Sequence, residues 1–270
     1  MTEALTYTGE RMVPEKADPY TFWEHIYRYR FASQFVKGKR VLDIACGEGY
    51  GAAALHQSGA ASVIGIDVSP DACQHARKKY GLDARVGDAQ NIPLAKASVD
   101  VVVSFETIEH ISQPGQFLDE CARVLAPGGM MIVSTPNRDV YHKHAPHNPF
   151  HLKELNEAEF VELLNARFKK TRLFTQRPEF AACWSPRSLS SERSFWWKMP
   201  AFGRLRWKLQ LSCCREIADQ KALDQARDNP IQAILGGHRR LSHLANPFAI
   251  RRKAASALEL PHFVLALASL

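Results

Sequence analysis

Val41-Leu42-Asp43-Ile44-Ala45-Cys46-Gly47-Glu48-Gly49-Tyr50-Gly51 decides the fold. Its first half is a short apolar run that reads as a buried strand. Its second half is a glycine-rich turn opening into a helix. Glycine at such a corner lets the backbone approach a ligand where a side chain would clash. A corner of this kind is shared by nucleotide-binding sheets generally, so its neighbours must narrow the reading.

Working outward, further strand-like runs at Ser62–Ile66, Asp100–Ser104 and Met130–Ser134 join Arg40–Ala45. Between them Tyr50–Ser58, Asp71–Tyr80 and Gln116–Leu125 carry helical spacing of apolar residues. Ser69-Pro70-Asp71 reads as an N-cap followed by proline in the first turn, and Ala126-Pro127-Gly128-Gly129 as a helix stop feeding a strand. Alternation of this sort predicts βαβ units and a parallel sheet covered on both faces. An amphipathic helix with Trp23, Tyr27 and Phe31 precedes the sheet over Tyr20–Phe35. A capped helix over Asn156–Phe168 and strands at Thr171–Thr175 and Phe263–Ala268 follow it.

Two acids sharpen the corner. Asp67 ends the second strand, where a carboxylate can accept both hydroxyls of a ribose. Asp88 follows the third strand candidate (Arg85-Val86-Gly87-Asp88-Ala89), beside where an adenine would lie. A dinucleotide oxidoreductase is the main rival. Asp43 argues against it, because a carboxylate beside the corner would repel a pyrophosphate.

With these motifs in this order, the chain resembles class I S-adenosylmethionine-dependent methyltransferases over about residues 20–175 and the last strand. The resemblance implies a Rossmann-like α/β fold with a seven-stranded sheet whose last strand is antiparallel. By matching positions, Asp43, Gly47 and Gly49 would surround the methionine part of the cofactor. Asp67 with Val68 would hold the ribose, Asp88, Ala89 and Gln90 the adenine edge, and Phe105 would complete the wall. Arg28 matches a position that pairs with the cofactor carboxylate in some relatives. The product would be S-adenosylhomocysteine.

Two segments reach the carboxyl edge of the sheet, where an acceptor should sit. In Ser104-Phe105-Glu106-Thr107-Ile108-Glu109-His110, a helical turn would put Glu106, Glu109 and His110 on one face. Three readings stand beside one another: His110 as a general base oriented by a carboxylate, a divalent metal on all three, or structural caps. The metal is not favoured, although relatives that methylate ubiquinone precursors look similar here. The second segment, Tyr141–His151, holds four of the chain's eleven histidines. His151 is the one expected to act, because it should open the helix running to Phe168. The segment after the fourth strand lacks the Asn/Asp-Pro-Pro-aromatic pattern of amino-methylating nucleic-acid enzymes, so an oxygen nucleophile suits the mouth better.

The expected organisation is a core of residues 1–177 and 261–270, interrupted by a basic, Trp-rich helical insertion at 178–260. That insertion carries Trp184, Trp196, Trp197 and Trp207. A stripe of Phe202, Leu205, Leu209, Cys213 and Ile217 suits a lid or contact with a membrane surface. Between Glu179 and Glu259 lie 14 Lys/Arg against 7 Asp/Glu, a surplus equal to the whole net charge of +7. Attraction to an anionic partner should therefore come from this stretch.

The motifs Thr8-Gly9-Glu10-Arg11-Met12-Val13-Pro14, His25-x-x-Arg28-Tyr29 and Asn148–Leu155 resemble a subgroup of bacterial methyltransferases found among surface-polysaccharide enzymes. That likeness implies a sugar hydroxyl of a glycan or glycosylated intermediate, phosphate-bearing or lipid-linked, as acceptor. A phenol- or quinone-type small molecule and an RNA are the rivals. Six cysteines without a CxxC pair, no signal-peptide pattern and no apolar run near the roughly 20 residues of a membrane span point to a cytoplasmic protein, with the inner membrane face as an option.

Overall fold

The computed structural model describes residues 11–141, 148–176, 220–235, 250–252 and 263–270. In chain order these form α1 (Pro19–Ala32), β1 (Arg40–Ile44), α2 (Tyr50–Gln57), β2 (Ser62–Asp67), α3 (Pro70–Tyr80), β3 (Asp83–Val86) and β4 (Val99–Phe105). There follow α4 (Pro114–Val124), β5 (Leu125–Pro136), the single turn α5 (Arg138–Tyr141), α6 (Glu157–Asn165) and β6 (Lys170–Gln176). The last are α7 (Gln220–Asp228), α8 (Pro230–Leu235), β7 (Ile250–Arg252) and β8 (Phe263–Ser269).

One sheet holds every strand among the described residues, in the order β3-β2-β1-β4-β5-β8-β6-β7. The first five are parallel, and β8 runs antiparallel between β5 and β6. This is the expected seven-stranded arrangement with an antiparallel last strand. A short eighth strand, β7, is added on the outer edge of β6. The order reverses between β1 and β4, and at such a switch point the connections leave to opposite faces and open a crevice above the carboxyl ends.

Local chemistry explains the element ends. Ser69 Oγ accepts from the Ala72 N–H (3.3 Å), Pro70 occupies the first turn, and Gly81 closes α3 in the left-handed region at φ +67°. Asn156 and Glu159 form a reciprocal capping box at the start of α6. Glu157 therefore begins that helix, and His151 lies in the segment ahead of it. The expectation that His151 opens the helix is corrected: the local hydrogen bonds of Asn156 set the start.

Two apolar layers sandwich the sheet. On one face α1 and α2 bury Phe22, Ile26 and Leu55; on the other α4 and α6 bury Phe117, Leu118 and Phe160, all at 0–1% exposure. Each such side chain contributes about 1.5–3 kcal/mol. Of the stretch 178–260, α7 and α8 bury Leu223, Ala226, Ile231 and Ile234 in the same layer as α1 and α2. These parts and β7 are thus built onto the core. The tryptophans of that stretch, the Phe202–Ile217 stripe, Cys183, Cys213 and Cys214 lie outside the described residues, as do His142, His144 and His147. Cys46, Cys73 and Cys121 are buried free thiols. Among the described residues no helix is long and apolar enough to cross a membrane.

Candidate functional site

A cavity of about 380 Å³ opens at the carboxyl ends of β1, β2 and β4, on the switch point. Ala45, Cys46, Gly47 and Glu48 form its floor, Asp67 and Val68 come from the end of β2, and Gly87 to Gln90 from the turn after β3. Phe105, Glu106, Thr107 and His110 line it after β4. Ala45 and Glu106 sit in the left-handed region at φ +59° and +52°, so both strand ends break sharply where they meet the cavity.

Asp67 ties the two strand ends together. Its Oδ2 accepts from the Gly47 N–H (2.8 Å) and its Oδ1 from the Ser69 N–H (2.9 Å). Asp88 accepts from the Gln90 N–H (2.8 Å), while Gln90 Oε1 accepts from the Ser112 hydroxyl (2.9 Å) and the Gln113 N–H (3.0 Å). Val68, an apolar side chain of the cavity lining, is 73% exposed.

Asp43 lies beneath the glycine corner at 1% exposure, with the Tyr29 hydroxyl donating to both carboxylate oxygens at 3.1 and 3.3 Å. Burial pushes its pKa up to about 7. The Tyr29 hydrogen bond pulls the other way, and the nearby Asp67 charge adds to the rise. A cation placed above the corner would favour the ionised form. Gly49 is absent from the cavity wall. It has φ +94°, and a Cβ there would meet the Ala76 Cβ at 2.7 Å, so this glycine serves the approach of α3 to the corner.

Arg28 is placed behind the wall. It is 1% exposed, its Nε donates to Gln176 Oε1 (2.8 Å), and its Nη1 lies 3.4 Å from Glu106 Oε1. Glu106 Oε1 also accepts from the Ser134 hydroxyl at 2.7 Å. The segment after β4 is a 3-10 turn over Ile108–His110, entered through the left-handed Glu106. Glu106, Glu109 and His110 therefore do not share one helical face as expected. Glu106 turns toward Arg28, and Glu109 is fully buried against the Thr135 hydroxyl (3.3 Å). Burial, then the Glu106 charge, holds the Glu109 carboxyl well above the usual range. His110 lines the cavity, and His151, outside it, packs edge-to-face on the His110 ring at 4.9 Å.

Sequence reasoning missed Arg11, His25, Tyr29, Glu48 and Tyr50 on the wall. His25 and Tyr29 stand four residues apart on α1, a helical spacing that could have marked a cavity-facing side. His25 Nδ1 lies 3.3 Å from the Tyr50 hydroxyl, and burial with the Arg28 charge pushes its pKa down to about 3, which keeps it neutral. Glu48 is 1% exposed inside the corner and is met by His75 Nε2 (3.0 Å), the Tyr80 hydroxyl (2.8 Å) and the Lys79 ammonium. No local signal links Glu48 to α3; only the fold does.

The strand order, with its antiparallel last strand, is that of the Rossmann-like methyltransferase fold, and the glycine corner with Asp67 and Asp88 lines the crevice at its switch point. Residues 42–133 match the family model described as a methyltransferase domain. A probable S-adenosylmethionine-dependent methyltransferase of Mycolicibacterium smegmatis is 45% identical over 168 residues, 61% of this chain and 65% of the relative. A ubiquinone biosynthesis O-methyltransferase of Azorhizobium caulinodans is 38% identical over 110 residues, 39% of this chain and 43% of the relative. The chain thus spans less than two thirds of the length of these curated relatives. A Thermotoga maritima crystal structure, titled a SAM-dependent methyltransferase and possible histamine N-methyltransferase, superposes with a TM-score of 0.57 over 95% of this chain and 97% of that one. At 16% identity that likeness concerns the fold.

The residues present fit the cofactor. Asp43, buried behind the cavity wall, would act on an ammonium group through the glycine corner, and Asp67, on the wall itself, would meet the hydroxyls of a ribose. Asp88 and Gln90 also line the cavity and would border the purine. When bound, the cofactor supplies an electrophilic methyl group on a sulfonium.

Proposed function

We propose that this protein transfers a methyl group from S-adenosylmethionine to a hydroxyl oxygen of a small acceptor. The observation that carries the reading is His110, which lines the cofactor cavity while Glu109 and His151 back it at the mouth. A hydroxyl is a weak nucleophile until its proton has somewhere to go, and this mouth offers basic nitrogens at the edge of the cavity. In the step itself an acceptor oxygen forms its bond to the methyl carbon as the carbon–sulfur pair returns to sulfur. The residues' part is to align the three atoms and hold water away.

Two acceptor types suit that chemistry. A sugar hydroxyl of a glycan or nucleotide-linked intermediate is supported by the N-terminal and Asn148–Leu155 motifs and by the basic stretch 178–260. That stretch would meet a phosphate or the inner membrane surface of a cytoplasmic enzyme. A phenol- or quinone-type hydroxyl is supported by the likeness to the ubiquinone biosynthesis O-methyltransferases. Incubation with the cofactor and separate panels of catechols and sugar phosphates, read by mass spectrometry for a gained methyl and for S-adenosylhomocysteine, tests both. Failure of S-adenosylhomocysteine to bind, with a nicotinamide nucleotide binding instead, would overturn the reading.

A further inference from the structure

The segment Asn148–Leu155 is stitched to the turn after β4. The N–H groups of Leu152 and Lys153 donate to the Glu109 carbonyl at 2.8 and 3.1 Å. This places His151, 41 positions beyond His110 in the chain, against its ring. One ligand atom from each of Glu109, His110 and His151 lies within 4.8 Å of the other two. The outer nitrogens are held from behind: His110 Nδ1 is 2.9 Å from the Phe150 carbonyl and His151 Nδ1 is 2.7 Å from Glu154 Oε1. A carbonyl or carboxylate behind Nδ1 directs Nε2 forward and raises its basicity, the arrangement that supports metal-ligating histidines. Glu109 is 0% exposed, and its Oε1 is buried with no hydrogen-bond partner. An unsatisfied buried carboxylate oxygen is costly and calls for a cation or donor.

We propose that Glu109, His110 and His151 together bind one divalent transition-metal ion at the mouth of the cavity. Two imidazoles and a carboxylate suit Zn²⁺, Mn²⁺, Co²⁺ or Fe²⁺; Mg²⁺ and Ca²⁺ prefer sites built from oxygen alone. With metal–ligand bonds of about 2.0–2.2 Å, the three atoms draw together by roughly 1–1.5 Å on binding. Glu106 takes no part, because Arg28 and Ser134 engage it. Three protein ligands leave positions open, and His110 sets the ion beside the cavity. Resting on the methyltransferase reading, this deepens it: the acceptor offers two adjacent oxygens, as a catechol or a vicinal sugar diol does. With the ion bound, His110 serves as its ligand in place of acting as the base: the coordinated hydroxyl gives its proton to water, its oxygen takes the methyl carbon, and the carbon–sulfur pair stays on sulfur. The ion is unchanged.

The test uses the full chain, stripped by chelator and titrated with Co²⁺ while its visible ligand-field absorption is followed. One equivalent should bind. His151→Asn and His110→Asn should each weaken binding by about 10–100-fold. His151→Asn should leave calorimetric affinity for S-adenosylhomocysteine unchanged, which also reports correct folding. No binding, or binding that both variants keep, overturns the site. Binding lost only when His142, His144 and His147 are replaced by alanine also overturns it. Cobalt binding without S-adenosylhomocysteine binding would sink the methyltransferase reading and leave the metal site standing. A catechol and a vicinal sugar diol are then added separately. A spectral shift with either supports the two-oxygen acceptor and tells which, and a shift with neither refutes it.

Discussion

Replacing Gly51 by alanine should destabilise the protein, although helix propensity alone argues the opposite. Gly51 lies in the first turn of α2, where alanine would gain about 0.5–1 kcal/mol over glycine. A Cβ at this position, however, would fall inside the Tyr29 ring, against Cζ and both Cε atoms. To reach ordinary carbon–carbon contact at about 3.5–4.0 Å the ring must retreat by roughly 1.5 Å. It has no slack, being packed edge-to-face on Tyr50 (5.5 Å) and Phe105 (5.1 Å) with its hydroxyl on the buried Asp43. Overpacking costs about 1–3 kcal/mol, and a hydrogen bond lost to a buried carboxylate about 1.5–3 kcal/mol. The net loss is about 2–4 kcal/mol, which corresponds to a melting temperature lower by roughly 4–7 °C for a chain of this size. Urea unfolding followed by circular dichroism would show a lower midpoint at unchanged slope. In a Tyr29→Ala background the same substitution should become neutral or stabilising. A Gly51→Ala protein as stable as the parent, or one equally damaged without the Tyr29 ring, would refute the steric argument.

Further outcomes follow from the site. Asp67→Ala removes the acceptor for the Gly47 and Ser69 N–H groups, so affinity for S-adenosylhomocysteine should fall by about 10²-fold or more, since charge-assisted bonds contribute about 1.5–3 kcal/mol each; undiminished calorimetric affinity would reject the ribose assignment. His110→Ala should keep cofactor affinity and lower turnover about 10²-fold or more, and unchanged turnover would return His110 to a structural role. Asp43 has a folded pKa raised to about 7, so its contribution to stability is fully present below the unfolded value near 4 and is lost as pH rises toward 7. Asp43→Asn should therefore fall off less steeply than the parent between pH 4 and 7 in urea midpoints, and identical pH profiles would contradict the burial argument. Saturating S-adenosylhomocysteine should flatten the parent's slope, because an ammonium beside Asp43 favours the ionised form.

The glycine corner, Asp67 and Asp88 were legible along the chain because their geometry is local. A strand end, a tight turn and a helix start lie within a few residues, and each leaves a compositional mark. The caps at Ser69 and Asn156 were legible for the same reason, and the alternation of short apolar runs with helical spacing carried the parallel sheet and its covering helices, though not the strand order. What depends on residues far apart was not legible. Arg28 is drawn behind the wall by Gln176, nearly the whole core away in sequence, and Glu48 is held by α3. Gly51 is required by a ring on α1 rather than by any ligand. The pairing of His110 with His151 arises only because the Glu109 carbonyl captures the backbone of the later segment. Local sequence can specify a turn because the chain itself holds the interacting groups together. Which carboxylate loses its water, and which histidine meets it, is decided when distant elements close over one another and remove both from solvent.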